Sequence, residues 1–435
     1  MGFVVTGKGA AQIGLLRGTA LYIGALIGPG LLLIPALGVQ AAGPASILAW
    51  LGLLLLSAPL AATFAALAVR YPVAAGVSAY VRAGFGDSAA AVTGAWFLAA
   101  IFLGAPAVSL IGGYYVTDLT GGRSPVAVFV GLCIFMTVIT SNAMGLRVSS
   151  SVQFGLSTIL VVVLAIALAF ALPVHGGDNW LPFAPRGWWA IGTAANILIW
   201  MFVGWEAVAQ LAGEFKRPRV DLPRAMALAF AIITILYLAL AIATVGVTGS
   251  ARSQVPLADL VSVGFGRVGR DLTAVLAVAL TMGTMNVYMG GGAKLALALA
   301  DAGAVPRWLA RADGRSVPLR PLMFFAAVGL ILLGALAVGF LNATDLIRAT
   351  SSLFVGIYVL SIASAVRILK GQARVVAASA AVMVALVACF SGWYVAVPAV
   401  VALVALLQQV LYRWRATTER MASTAPSIAD SWRRP

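Results

Sequence analysis

Twelve apolar runs, each close to the length that crosses a lipid bilayer, set the terms for everything else in this chain. Bounded by charge, Gly or Pro, they lie near 13–40, 44–69, 90–116, 125–142, 152–172, 189–213, 223–248, 270–298, 320–341, 345–368, 373–391 and 393–412. About 20 apolar residues at about 1.5 Å each span a hydrocarbon core of about 30 Å. In lipid a helix satisfies its own backbone groups, so runs of this kind predict an all-α membrane protein of about 12 transmembrane helices. Composition agrees: of 435 residues, 62% are apolar and 9% charged, whereas a soluble domain carries roughly 25% charge. Only Ser391-Gly392 separates the last two runs, and Gly supplies the tight turn they need.

The formal charge of +15 does not point to nucleic acid. The basic residues sit between apolar runs and do not interleave with aromatics, as expected of membrane topology. With the N-terminus cytoplasmic, six of the 28 Lys and Arg fall outside: Arg123, Arg186, Arg252, Arg267, Arg270 and Arg348. The rest, including Lys8, Arg17, Arg70, Arg82, Arg147, Arg219, Lys294 and Lys370, fall inside. The positive-inside rule selects this orientation, and an even number of spans puts both termini in the cytoplasm. Lys8 and Arg17 before an apolar run resemble a signal peptide, but the run is long and lacks a cleavage site, so it reads as an uncleaved first span.

The predicted organisation is a cytoplasmic N-terminus at 1–12, a first set of five spans at 13–172, a second set at 189–368, two further spans at 373–412 and a cytoplasmic tail at 413–435. The tail beyond Tyr412 is polar and rich in small residues, which predicts disorder. Spans 1 and 6 are the Gly-rich ones, and each opens a set of five. Five is odd, so the second set enters from the opposite side, as an inverted repeat requires. Cys133 and Cys389 read as small core residues, and the single histidine, His175, excludes a multi-His metal cluster. The chain predicts no metal and no cofactor.

Span 1 contains Gly24-Ala25-Leu26-Ile27-Gly28-Pro29-Gly30, with Pro35 following. Three glycines and two prolines in twelve residues break a helix. Freed backbone groups at membrane depth persist only where they line a cavity or are buried in protein. One reading is a broken helix whose N–H groups face an anionic group of a ligand. The other is a proline kink or a close helix contact. Span 6 contains Trp200-Met201-Phe202-Val203-Gly204-Trp205-Glu206. Of the three glutamates, only Glu206 lies well inside a span, Glu214 and Glu419 being at the edge and in the tail. A charged carboxylate at that depth costs at least about 2.5–3.5 kcal/mol and is by default a functional candidate. It suits a proton carrier or gate, or a neutral acid bonding the exposed carbonyls of the broken helix.

Span 8 carries Thr281, Thr284 and Asn286. Their oxygens suit sodium, but hydroxyls inside a span more often bond the preceding turn. Lys294 and Arg348 sit near span ends and snorkel. Tyr22, Trp200, Phe202 and Trp205 are the aromatics near the breaks. There is no P-loop, HExxH or GxSxG with a partner histidine, so the chain reads as neither an ATP-driven pump nor an enzyme.

Four segments together resemble the amino acid–polyamine–organocation (APC) superfamily of transporters. They are Ile27-Gly28-Pro29-Gly30 with Pro35, and Phe202-Val203-Gly204-Trp205-Glu206. The others are Glu214-Phe215-Lys216-Arg217-Pro218 with Pro223-Arg224-Ala225, and Ala300-Asp301-Ala302-Gly303-Ala304-Val305-Pro306-Arg307-Trp308-Leu309-Ala310. The stretch between spans 6 and 7 is most similar to bacterial exporters of methionine and branched-chain amino acids. The resemblance implies a LeuT-like core of five plus five inverted spans, two extra helices, and a substrate held between broken helices 1 and 6. It implies substrate contacts from Ile27, Gly28, Gly30, Trp200, Phe202, Val203 and Gly204. Gly28 and Gly30 would serve the carboxylate, and carbonyls near Trp200 to Val203 the ammonium. It further implies a gate at Trp200 and proton coupling at Glu206. One departure matters: Pro29 stands where the family usually has Ser or Thr, and proline offers neither hydroxyl nor N–H.

The expected function is secondary transport of a neutral apolar L-amino acid (methionine, leucine, isoleucine or valine), as a proton-coupled exporter in a bacterial inner membrane. The partners are substrate, protons and lipid, the chain being a monomer or homodimer. An importer or exchanger is the alternative within transport; a non-transporting membrane sensor is the alternative outside it.

Overall fold

The computed structural model describes residues 13–71, 76–122, 124–146, 150–174, 177–206, 214–249, 253–310 and 317–424. Lys8, Arg123, Arg147, His175, Arg252 and the last eleven residues of the tail lie outside the described residues. The helices are α1 Leu15–Leu26, α2 Ile34–Ala42, α3 Ser46–Arg70, α4 Gly76–Phe85, α5 Asp87–Thr120, α6 Ser124–Ala143 and α7 Ser150–Ala171. They continue as α8 Ala190–Leu198, α9 Pro218–Thr248, α10 Pro256–Asp301, α11 Leu319–Ala337, α12 Ala343–Ile368, α13 Gln372–Cys389 and α14 Ala396–Thr424. Ten helical stretches are long and apolar enough to cross a membrane, the first combining α2 with α3. Two shorter apolar pieces, Leu15–Leu26 and Ala190–Phe202, belong to the interrupted first and sixth spans. Among the described residues the only extended pairing is an isolated bridge between Ile13 and Phe215.

Burial orders the helices from centre to rim. In α5, 83% of the most apolar window is buried, against 22% in α13 and in α14. The long α5 is therefore the central post, packed by α6, α10 and α12. Small residues allow that packing, since lipid offers no hydrophobic drive between helices and close contact must supply the attraction. A Cβ on Gly113 of α5 would lie 2.1 Å from the Ala127 carbonyl oxygen of α6. Across the same crossing, a Cβ on Gly131 would lie 3.2 Å from the Ser109 carbonyl oxygen.

Several elements differ from the sequence reading. The connector after span 2 contains α4, an amphipathic helix packed on α5 and α12. The helix of span 8 begins early, at Pro256, and bends at Gly266, whose φ of 54° suits glycine. Near that bend it is tied by charge: Arg270 reaches Asp118 of α5 at 2.7 Å and Asp259 at 2.8 Å. Arg348 does not extend freely to the interface. Its guanidinium lies 4.4 Å over the ring of Tyr394, whose hydroxyl donates to Asp345 at 2.5 Å. Cys133 and Cys389 are not core residues; both are free and exposed on the outer faces of α6 and α13. The α14 helix continues past Tyr412 to Thr424. Elongating an existing helix needs no new nucleus, and Arg, Ala, Glu and Met are good helix formers.

Replacing Gly113 by Ala should force α5 and α6 apart and cost about 1–3 kcal/mol, read as a lower melting temperature in detergent. The Gly52→Ala variant, where a Cβ meets nothing within 4 Å, should melt with the parent or slightly above it.

Candidate functional site

Span 1 breaks where the prolines and glycines fall. The α1 helix ends at Leu26, and Ile27 turns extended with φ −88° and ψ 97°. Gly28 is also extended, and a 3-10 turn follows over Pro29–Leu32. Pro29 and Pro35 each open a helical segment, where a missing N–H costs nothing. The Pro29 substitution is thus structurally cheap, and the neighbouring backbone stays available. The Gly28 N–H has no acceptor among the described residues, and a Cβ there would meet nothing within 4 Å. Gly28 is therefore partly exposed, and its N–H is not used by the fold. Ile27, by contrast, is fully buried, and its N–H donates to the Ile23 carbonyl at 2.9 Å.

Span 6 breaks in the same manner. After α8, a 3-10 turn covers Ile199–Phe202, and Val203 turns extended. Gly204 has a φ of 149°, which L side chains rarely adopt. A Cβ on it would lie 2.8 Å from the Ala25 carbonyl oxygen and 3.2 Å from the Leu26 nitrogen. The two breaks therefore touch backbone to backbone, and glycine is what permits it. Further along, α2 packs on α8, where Gly38 admits the side chain of Leu198.

Three tyrosines bond the carbonyls that the breaks leave free. The Tyr237 hydroxyl of α9 lies 3.1 Å from the Leu26 oxygen and 3.0 Å from the Met201 oxygen, so its one proton is shared between the two breaks. The Tyr115 hydroxyl of α5 donates to the Leu32 oxygen at 2.8 Å. The Tyr358 hydroxyl of α12 lies 3.2 Å from the Phe202 oxygen and 2.8 Å from Glu206 Oε2. Sequence reasoning missed all three. The available signal was a phenol deep in an apolar run, which needs a partner when buried.

Glu206 is 5% exposed. Its Oε2 accepts from Tyr358 and, at 3.1 Å, from the Gly204 N–H. None of the ion pairs among the described residues involves it. The carboxyl thus links Gly204, at the break of span 6, to α12 through hydrogen bonds alone. Such a group can exchange a proton and, in doing so, change how strongly it holds both donors.

The aromatics separate into two sets. Phe202 turns back from the breaks, its ring 6.0 Å from Trp50 and 5.3 Å from Tyr237. Trp205 is fully buried and donates to Ser57 Oγ at 3.3 Å. Trp200 alone of these is half-buried; it sits beside Gly104 of α5, with its ring 6.3 Å from that of Phe354. The carbonyls of Trp200, Met201 and Phe202 already accept bonds from Val203, Tyr237 and Tyr358 respectively, each keeping a second lone pair. The residues weighed for sodium make bonds within the helix or to neighbouring elements. Thr281 bonds the Val278 carbonyl, Thr284 accepts from Gln153, and Asn286 donates to Ser141 and the Leu146 carbonyl. No group of three or more His, Cys, Asp or Glu suited to a metal occurs among the described residues.

The contact between the breaks can be tested by stability. Gly204→Ala should lose about 2 kcal/mol or more through the clash and the strained φ, while Gly28→Ala should melt as the parent does. Equal losses would mean that the breaks do not touch as described. Tyr237→Phe keeps the ring packing but strips both carbonyls of their donor, and should lower stability by about 1–3 kcal/mol in detergent melts.

Comparison with known proteins supplies the relationship. The chain is 32% identical over 393 residues to an uncharacterized amino acid permease of Bacillus subtilis, YecA, covering 89% of this chain and 92% of that one. It is 28% identical over 391 residues to the L-methionine/branched-chain amino acid exporter YjeH of Escherichia coli, covering 88% and 92%. It is 26% identical over 344 residues to the branched-chain amino acid permease BcaP of B. subtilis, covering 74% of each. The sequence model of the amino acid permease family matches residues 13–416. With both helix breaks inside that match, this multi-pass membrane protein belongs to the amino acid permease family.

Proposed function

We propose that the chain is a secondary transporter of neutral, apolar L-amino acids, with methionine, leucine, isoleucine and valine as substrates, and that it exports them in exchange for protons. The observation that carries this reading is the junction of the two breaks. The Gly28 N–H there has no acceptor among the described residues, and Glu206 accepts from Gly204, where the second break meets the first. A substrate carboxylate takes the N–H groups at Gly28 and Gly30, and its ammonium takes carbonyls of the Trp200–Val203 turn. Trp200, half-buried between α5 and α12, closes over the bound molecule. Apart from Glu206, whose Oε2 is taken by Gly204 and Tyr358, the described residues flanking the breaks are apolar or aromatic, which favours apolar side chains. The names of the E. coli exporter and the B. subtilis branched-chain permease support the same substrate class.

In this reading Glu206 couples the proton. Ionised, it holds the Gly204 N–H and the Tyr358 hydroxyl strongly; protonated, it holds them weakly and frees the hinge. The basic connectors support an orientation with both termini in the cytoplasm, in a bacterial inner membrane. A second reading, import or exchange, draws on the name of the branched-chain permease. Net direction is set by the gradients, so the site itself serves both.

The test is counterflow in proteoliposomes with a panel of labelled amino acids and an imposed pH gradient. Methionine, leucine, isoleucine and valine should exchange, and lysine and glutamate should not. No counterflow of any apolar amino acid overturns the proposal. Glu206→Gln keeps an acceptor for Tyr358, so it should retain counterflow while losing pH-driven net flux by tenfold or more. Unchanged pH dependence removes Glu206 from the coupling role. Intracellular accumulation of methionine in a deletion strain, absent from wild type, supports export over import.

A further inference from the structure

A groove of about 710 Å³ opens along α3, running from Ala58, beside the Ser57 that holds Trp205, to Arg70 at the end of the helix. Its floor is the alanine face of α3, including Ala58, Ala62 and Ala66, and its walls are Met226 and Phe230 of α9 with Ala373 of α13. Three cations, Arg70, Arg219 and Lys370, stand at one end. All three are exposed, and none pairs with a carboxylate among the described residues. No acidic residue lines the groove. A smaller groove of about 400 Å³ adjoins it and shares Val69 and Arg219. Its other cation, Arg217, is held by Asp221 at 3.0 Å.

We propose that this groove is a binding site for an anionic phospholipid, its phosphate held by Arg70, Arg219 and Lys370 and an acyl chain laid along the alanine face of α3. The dimensions fit. From Ala58 to Arg70 a helix rises about 18 Å, slightly more than half of a hydrocarbon core of about 30 Å. The charged end therefore reaches the headgroup level while the apolar end stays among the tails. The chemistry selects the charge of the lipid. An acyl chain gains little by leaving other tails for an apolar groove, because lipid is as apolar as alanine. The cations supply the preference, each contributing roughly fivefold toward an anionic headgroup, about 100-fold for three. A small soluble anion would engage the same cations and leave the alanine floor uncovered. Basic pockets between helices at the cytoplasmic face commonly hold anionic headgroups, and the groove lies at the end where the basic connectors gather. α3, α9 and α13 each contribute, so an occupied site cross-links the helix next to the first break with the one that carries Tyr237.

Native mass spectrometry of the full chain in detergent tests the site. The probes are phosphatidylglycerol, phosphatidylcholine with the same acyl chains, and the soluble headgroup glycerophosphoglycerol. Phosphatidylglycerol should bind at least about tenfold better than phosphatidylcholine, and the soluble headgroup should not compete. Arg70→Gln with Arg219→Gln and Lys370→Gln should reduce phosphatidylglycerol to the phosphatidylcholine level. Ala62→Leu with Ala66→Leu, which fills the groove and keeps the cations, should do the same. Arg320→Gln, which removes a charge from α11 outside the groove, should change nothing. Phosphatidylglycerol retention equal to the parent in either groove variant overturns the proposal, as does full competition by the soluble headgroup. Melting of each variant in phosphatidylcholine alone, expected to match the parent, separates loss of the site from loss of the fold. Counterflow plays no part in this readout, so failure of the lipid site and failure of the transport reading are distinguishable.

Discussion

Backbone polar groups that a helix break exposes at membrane depth have no water to turn to, and each unsatisfied one costs several kcal/mol. Two breaks facing one another concentrate this difficulty at the centre of the bundle. The architecture answers it with phenols. Tyr115, Tyr237 and Tyr358 come from α5, α9 and α12, and each donates its hydroxyl to a carbonyl that a regular helix would have used internally. The Gly28 N–H and the Tyr22 hydroxyl stay without partners among the described residues.

The same frame explains how the breaks stay hinged yet fixed. Gly204 meets the backbone of Ala25 and Leu26 directly, and Tyr237 bonds one carbonyl on each side of that contact. A movement of either broken helix must slide past the other or break that shared bond. Glu206 adds a side-chain acceptor for the Gly204 N–H at that contact. At the end of α1, Ile13 and Phe215 form a backbone bridge, with the Ile13 N–H donating to Glu214 at 3.1 Å and the Lys216 N–H to Ile13 at 3.0 Å. At the other end, Gln40 after the first break bonds the Ser253 carbonyl, and Ser253 bonds Asp259, which Arg270 holds. Both ends of the first broken span are thus latched to other parts of the bundle.

Much of this was legible in the sequence, for reasons that concern single residues. A run such as 152–172 is apolar enough to span regardless of its neighbours, because the bilayer is its solvent. The breaks were legible because Pro29, Pro35 and Gly204 restrict or release the backbone locally. Glu206 stood out because carboxylates inside spans are expensive. Pro29 looked like a defect beside the family pattern, but it opens a 3-10 turn where no N–H is required.

What the sequence determined by itself, then, was an all-helical membrane chain with two interrupted spans and one deep carboxylate, since hydropathy and backbone restriction are local properties. Tertiary structure decided what each freed group meets. It turned Phe202 into the core behind the break, bound Thr284 and Asn286 to neighbouring helices, folded Arg348 onto Tyr394 and set Cys133 and Cys389 toward the outside. It also chose Tyr237 and Tyr358 from ten tyrosines as the bonds that close the breaks. A buried hydroxyl announces that it needs a partner, but which carbonyl it finds depends on helix rotations and crossings that no single stretch of sequence specifies.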